Sequence, residues 1–309
     1  MTRILIIRHG ALGDIILSFP AFAAIRAAHP AAIISLLTTA PFAAFLKASP
    51  WFDHILTDPK PALPNLPGLW RLRAQLRGFD RVYDLQTSQR SSLYFRLAGR
   101  PPWSGIAPGC SAPHANPQRN HLHSRERLAD QLAGAGIPLP LPIPDLTWLR
   151  STDHPPLPAN FTALIPGAAP HRPEKRWPAA QFGRLAATLP NPVVILGSAV
   201  EQNLAAEILT HAPMALDLTG RTSLLGLAAI LARASSALGN DTGPMHLATA
   251  LGIPSLVLFA RASDPALTAP RYPDGAWPSV LRADTLTDLP LDRVAAAPRG
   301  RHNHPILTY

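Results

Sequence analysis

Short apolar runs alternate with amphipathic stretches along almost the whole chain. Arg3 to Ile7 reads as a buried strand. It is followed by the turn Arg8-His9-Gly10-Ala11-Leu12-Gly13-Asp14 and a helical pattern from Ile15 to Ala28. Further strands are expected at Ile33 to Leu37, His54 to Thr57 and Arg81 to Leu85, with helices at Pro41 to Ala48, Leu69 to Leu76, Ser92 to Leu97 and Ser124 to Ala135. The proline-rich stretch Pro138 to Pro158 breaks this rhythm and reads as a linker. A second alternation follows, with strands at Thr162 to Ile165, Val193 to Leu196, Ala215 to Leu218, Ser236 to Leu238 and Ser255 to Phe259. Its helices fall near Ala179 to Thr188, Glu201 to Leu209, Leu224 to Arg233 and Met245 to Leu251. Strand-helix alternation of this kind implies α/β units with mostly parallel sheets. The expected architecture is therefore two Rossmann-like domains facing a central cleft, at 1–152 and 153–297, with an irregular tail at 298–309. A length of 309 residues suits two domains.

Composition narrows the class. The single cysteine, Cys110, excludes a disulfide framework and a cysteine-based zinc site, and points to a reducing cytoplasm. The apolar run Ile4 to Ile7 is too short for a signal segment, and no run reaches the length of a membrane span. Residues 1 to 150 carry 16 Lys and Arg against 8 Asp and Glu, whereas residues 151 to 309 carry 12 against 11. That asymmetry points to an anionic partner for the first half. Nucleic acid is disfavoured, because no recognition helix or RNP-like pattern accompanies the scattered basic residues. The tail histidines His302 and His304 read as part of an unstructured end, not as a metal site.

Two stretches carry candidate chemistry. Around Gly239-Asn240-Asp241-Thr242-Gly243-Pro244, an apolar run enters a polar loop bracketed by glycines and then a helix, with Pro244 suited to the first helical turn. Free N–H groups there suit an anion, and Asp241 and Thr242 add oxygens for hydroxyls or for the cap. Near the N-terminus, the G-x-x-G-D spacing ending at Asp14 matches neither the dinucleotide fingerprint nor the P-loop, which sets aside dehydrogenase and ATPase activities. Asp14 falls where a strand end meets a helix, the rim at which open α/β sheets place their chemistry. It can act there, cap the helix, or do both.

Three motifs together give the chain a resemblance to glycosyltransferase family 9, the ADP-heptose:lipopolysaccharide heptosyltransferases. They are I-L-I-I-R-H-G-A-L-G-D-I-I-L-S-F-P at Ile4 to Pro20, K-R-W-P at Lys175 to Pro178, and G-N-D-T-G-P-M-H-L-A at Gly239 to Ala248. The resemblance implies a GT-B enzyme that transfers heptose from ADP-heptose with inversion, without a metal or other cofactor, to the inner core of a lipopolysaccharide precursor. It implies Asp14 as general base, Lys175 at the donor phosphates, and Thr242, Gly243 and Pro244 around the pyrophosphate and sugar. Asp241 would bind heptose hydroxyls, Met245 and His246 would line the donor pocket, and Glu201 would hold ribose hydroxyls. The anionic glycolipid acceptor would meet the basic half, with Arg8, His9, Lys60 and Arg119 as candidate contacts. A cytoplasmic enzyme, in peripheral contact with the inner membrane face, is implied. Where the family usually shows Gly-Pro-Thr-Asp-Pro, this chain has Ala260-Arg261-Ala262-Ser263-Asp264-Pro265, which bears on sugar specificity. A transferase using another nucleotide sugar, or a non-catalytic nucleotide- or glycan-binding protein of the same fold, are the competing readings.

Overall fold

Ile4, Leu5, Ile6 and Ile7 are all fully buried, as a central parallel strand covered by helices on both faces requires. They form β1 (Arg3–Ile7) in the computed structural model, which describes residues 1–62, 64–150, 154–168 and 172–303. The chain divides into two compact units, Met1–Trp148 and Leu149–Tyr309.

The first unit adds β2 (Ile33–Thr38), β3 (His54–Thr57), β4 (Arg81–Asp84), β5 (Trp103–Gly105) and β6 (Ala112–Pro113). All pair in parallel in the order β3-β2-β1-β4-β5-β6. The single helix expected from Ile15 to Ala28 is two helices, Leu12–Leu17 and Phe19–Ala28. Pro20 lacks the N–H that would continue the first helix, so the chain restarts at Ser18. Its hydroxyl donates to the Asp14 carbonyl at 2.7 Å. The core under the sheet gathers Leu5, Ile7, Leu37, Val82 and Trp103 with Leu72 and Leu76 of the helix Leu66–Leu76.

The second unit contains β7 (Thr162–Ile165), β8 (Val193–Ile195), β9 (Leu216–Asp217), β10 (Ser236–Asn240), β11 (Ser255–Ala260), β12 (Trp277–Ala283) and β13 (Arg301–His302). Their order is β13-β12-β11-β10-β7-β8-β9, parallel except at the β13 edge. Without that edge strand the winding repeats that of the first unit. Pattern reading missed β5, β6 and β12, because serine, glycine and proline dilute their apolar signal. The segment expected to be an irregular end contributes β13, where His302 Nε2 lies 2.8 Å from Ser279 Oγ; His304 lies outside the described residues.

One glycine changes its meaning. Gly239, expected to flank a ligand loop, lies inside β10 and is buried. A Cβ there would sit 2.5 Å from the Ile165 carbonyl oxygen and 3.1 Å from Met245 Sδ, so strand and helix packing demand the glycine.

Candidate functional site

In the first unit, β1 ends between β2 and β4 and delivers Arg8 to the rim of the sheet. The Arg8 amide donates to Leu37 O at 3.0 Å, and its side chain is buried. Arg8 Nη1 donates to Leu85 O at 2.8 Å, Nη2 to Asp14 O at 3.0 Å, and Nη2 also reaches Asp14 Oδ1 at 3.1 Å. Asp14 occupies the third position of the helix Leu12–Leu17, whose cap is Ala11, so it does not cap that helix. Its side chain is 45% exposed and can meet a ligand. The turn before it requires Gly10: its φ is +99°, and a Cβ would fall 2.5 Å from Phe42 Cε2.

His9 turns inward. Its Nε2 lies 2.9 Å from Asp58 Oδ2, which also accepts from Tyr94 Oη at 2.6 Å, while Lys60 N donates to Asp58 Oδ1 at 2.8 Å. Burial acts to raise the Asp58 carboxyl, but the donors from His9, Tyr94 and Lys60 outweigh it and hold it below the ordinary range. Burial and the adjacent carboxylate push the Tyr94 phenol upward. Arg8 and His9 were expected as acceptor contacts. In the structure both side chains are buried and engaged within the unit. Lys60 is exposed, and Arg119 is partly exposed with Nε 3.3 Å from His114 Nδ1.

Asp84, at the end of β4, was missed by sequence reasoning. It is fully buried, and its Oδ1 accepts from Gln86 N at 3.1 Å and Thr87 N at 3.0 Å. Burial pushes its carboxyl up to about 6. The available signal was an acid within the apolar run Val82-Tyr83-Asp84-Leu85. Asp58 and Tyr94 lacked any such signal, because only the sheet brings them to His9.

In the second unit the corresponding rim is built by β10. Asn240, buried at its end, accepts from Trp177 N at 3.1 Å through Oδ1 and donates through Nδ2 to Pro166 O at 2.7 Å. This amide ties the segment carrying Lys175 to the sheet. Trp177 completes the anchor by donating to Leu289 O at 2.9 Å. Lys175 Nζ consequently reaches Asp241 Oδ2 at 3.0 Å, with only 17% of the lysine side chain exposed. Arg176 Nη2 donates to Ala168 O at 2.9 Å. Lys175 and Arg176 are both only partly exposed.

His246 Nε2 lies 3.9 Å from Asp241 Oδ1. Burial acts to raise Asp241, but His246 and Lys175 outweigh it and hold the carboxyl below its ordinary range. Thr242 precedes the helix Gly243–Ala250, makes no side-chain capping bond, and is followed by Gly243 and Pro244; all three are partly exposed. A carboxylate, a cation and a hydroxyl thus converge on a helix N-terminus, a combination suited to a phosphate bearing hydroxylated groups.

Two of the residues expected at the donor have close partners inside the unit. Met245 is fully buried beneath Gly239 and is core, since its first-turn position points into the sheet. Glu201 is nearly buried, and its Oε2 accepts from Ser198 N at 2.8 Å and Ser198 Oγ at 2.6 Å in a capping box. Its Oε1 faces Gly167, where a Cβ would come within 3.2 Å. Among the described residues, no group of three or more His, Cys, Asp or Glu could hold a metal ion.

The chain is similar to known transferases over most of its length. It is 26% identical to lipopolysaccharide heptosyltransferase 2 of Salmonella typhimurium over 315 aligned residues, covering 87% of this chain and 85% of the relative. Against lipooligosaccharide heptosyltransferase 2 of Haemophilus influenzae it is 33% identical over 115 residues, covering 35% of this chain and about a third of that relative, 33%. Among solved structures, the E. coli heptosyltransferase WaaC with ADP superposes with a TM-score of 0.77 at 21% identity, covering 95% of this chain and 98% of the other. The E. coli ADP-heptose lps heptosyltransferase II superposes with a TM-score of 0.73 at 24% identity, covering 96% of each. These likenesses establish the GT-B fold. The family model of glycosyltransferase family 9 (heptosyltransferase) matches residues 69–276, well over half of the sequence, and the chain belongs to that family.

Proposed function

We propose that this protein transfers heptose from ADP-heptose to the inner core of a lipopolysaccharide precursor, inverting the anomeric centre and requiring no metal. The observation that carries this reading is the Lys175–Asp241 pair at the start of the helix Gly243–Ala250. It offers a cation, a carboxylate and helix N–H groups to one ligand, as a sugar diphosphate needs. Lys175 would leave Asp241 for the diphosphate and neutralise charge as ADP departs. Asp241 would then accept from heptose hydroxyls, with Thr242, Gly243 and Pro244 at the pyrophosphate and His246 behind the carboxylate. Glu201 Oε1 would take a ribose hydroxyl.

Asp14 is assigned as general base. An acceptor hydroxyl must lose its proton as it attacks the anomeric carbon, and a half-exposed carboxylate held by Arg8 can take it. Lys60 and Arg119 are assigned to anionic groups of the glycolipid. The absence, among the described residues, of a helix long and apolar enough to cross a membrane is compatible with peripheral action on the cytoplasmic face.

The test is release of ADP from ADP-heptose with truncated lipopolysaccharide acceptors, in buffer with and without chelator. Acceptor-dependent release insensitive to chelator is expected. Release or thermal protection only with UDP- or GDP-sugars would reassign the donor. Donor binding without turnover on any acceptor would favour a binding protein.

A further inference from the structure

Between Asp58 and Asp80 the sequence contains four cations, Lys60, Arg71, Arg73 and Arg77, and no carboxylate. The helix Leu66–Leu76 occupies this segment. Asn65 caps it by accepting from Gly68 N at 2.9 Å, and Leu72 and Leu76 root it in the core of the first unit. Its outward face is unusual for a helix so placed. Leu66 is 63% exposed and Trp70, one turn later, is 68% exposed. Large apolar side chains at i and i+4 share one face, and tryptophan is highly buried on average. Arg71 lies exposed beside Trp70, Arg77 is exposed at the helix end, and the Arg73 guanidinium lies 5.7 Å from the centroid of the Trp70 ring.

An apolar ridge of Trp and Leu flanked by arginines, with no acid, has the make-up of a helix resting in a bilayer interface. Indole and leucine enter the headgroup boundary while guanidinium groups meet lipid phosphates. The placement fits the chemistry of this unit. Leu66 and Trp70 lie in the first turns of the helix, next to the loop whose Asp58 Oδ2 lies 2.9 Å from His9 Nε2 and whose Pro61 O accepts from Arg90 Nη1 at 3.2 Å. That loop leaves the same end of the sheet as the Arg8–Asp14 pair. A second copy of the chain is a poorer occupant, because two exposed side chains fall well short of the roughly 800 Å² per partner of a stable interface.

We propose that the helix Leu66–Leu76 docks the protein on an anionic lipid surface, with Trp70 and Leu66 inserted and Arg71, Arg73 and Arg77 at the phosphates. The inference concerns the membrane surface alone and does not depend on the sugar transferred. The experiment is co-sedimentation of the full chain with phosphatidylcholine vesicles, with and without roughly a third phosphatidylglycerol, at two salt concentrations. Wild type is expected to bind the anionic vesicles, and to bind less at high salt. Trp70→Ala with Leu66→Ser should weaken binding at least about tenfold. Arg71→Gln and Arg73→Gln should each weaken it about fivefold. Thermal unfolding of the exposed-residue variants should match wild type. No binding of wild type to anionic vesicles, equal binding by the Trp70 and Leu66 variant, or a solution dimer abolished by Trp70→Ala would overturn the proposal. Neither donor nor acceptor is present in this assay, so a wrong functional assignment would leave its outcome unchanged.

Discussion

Arg8 Nη2 stands 3.1 Å from Asp14 Oδ1, and the same guanidinium also bonds the Asp14 carbonyl and Leu85 O. One buried cation therefore fixes both the backbone and the carboxylate of the proposed base. Arg8→Lys cannot reproduce the planar fork and leaves a buried carbonyl unpaired, at a cost of about 1–3 kcal/mol. The expected result is a lower Tm and a lower kcat with donor binding retained, checked by thermal unfolding and steady-state kinetics.

Asp14→Ala removes the proposed proton acceptor while the Arg8 bond to the Asp14 carbonyl can remain. Transfer should fall by about 10²–10⁴-fold, while ADP binding measured by calorimetry stays close to wild type. Normal turnover by this variant would place the base elsewhere.

Asp241 and Asp84 make opposite contributions to the pH dependence of stability. Asp241 is held below the ordinary carboxylate range, so it stabilises the fold above about pH 4 and loses that contribution as the pH falls through its lower folded value. Lys175→Met removes one of the charges holding it down. Acid unfolding, followed by circular dichroism, should then begin at higher pH, and ADP should bind about tenfold more weakly.

Asp84 is pushed up to about 6 by burial. Its folded form keeps a proton that the unfolded chain releases near pH 4, so stability declines as the pH rises from about 4 to about 6. Asp84→Asn keeps an acceptor for Gln86 N and Thr87 N and should flatten that decline. The gain above pH 6 should approach about 3 kcal/mol, read from denaturant unfolding at several pH values.

Gly239→Ala would force a methyl to 2.5 Å from Ile165 O. Overpacking of this kind costs about 1–3 kcal/mol. Gly134→Ala is the contrasting control: it ends the helix Ser124–Gly134 with nothing within 4 Å, and should be neutral or slightly stabilising. A Tm loss confined to Gly239→Ala would verify the close approach of β7 and β10.

Local pattern made most of the sheet legible. β1, β2, β7 and β11 are predominantly apolar runs, as buried parallel strands must be. β5 and β6 escaped because three- and two-residue strands rich in Ser, Gly and Pro carry no periodic signal, and β12 begins Trp-Pro-Ser. The motif residues Asp14, Lys175 and Asp241 were legible because they sit where strands give way to helices. Their partners were less so. Arg8 and His9 stood in the motif, but their targets Leu85 and Asp58 lie 77 and 49 positions away in sequence, and no local spacing encodes that pairing.

The sequence by itself determined the alternation of strand and helix, the doubling of the fold and the family, since each rests on local propensity or on contiguous motifs. Only the tertiary structure decided which polar residues face outward and which are spent inside. It buried Arg8 and His9 against partners within the unit, engaged Glu201 Oε2 in a capping box, put Met245 in the core, and joined Lys175 to Asp241. Burial of a charge is tolerated only where distant parts of the chain supply its partners, and that supply is fixed when the sheet assembles.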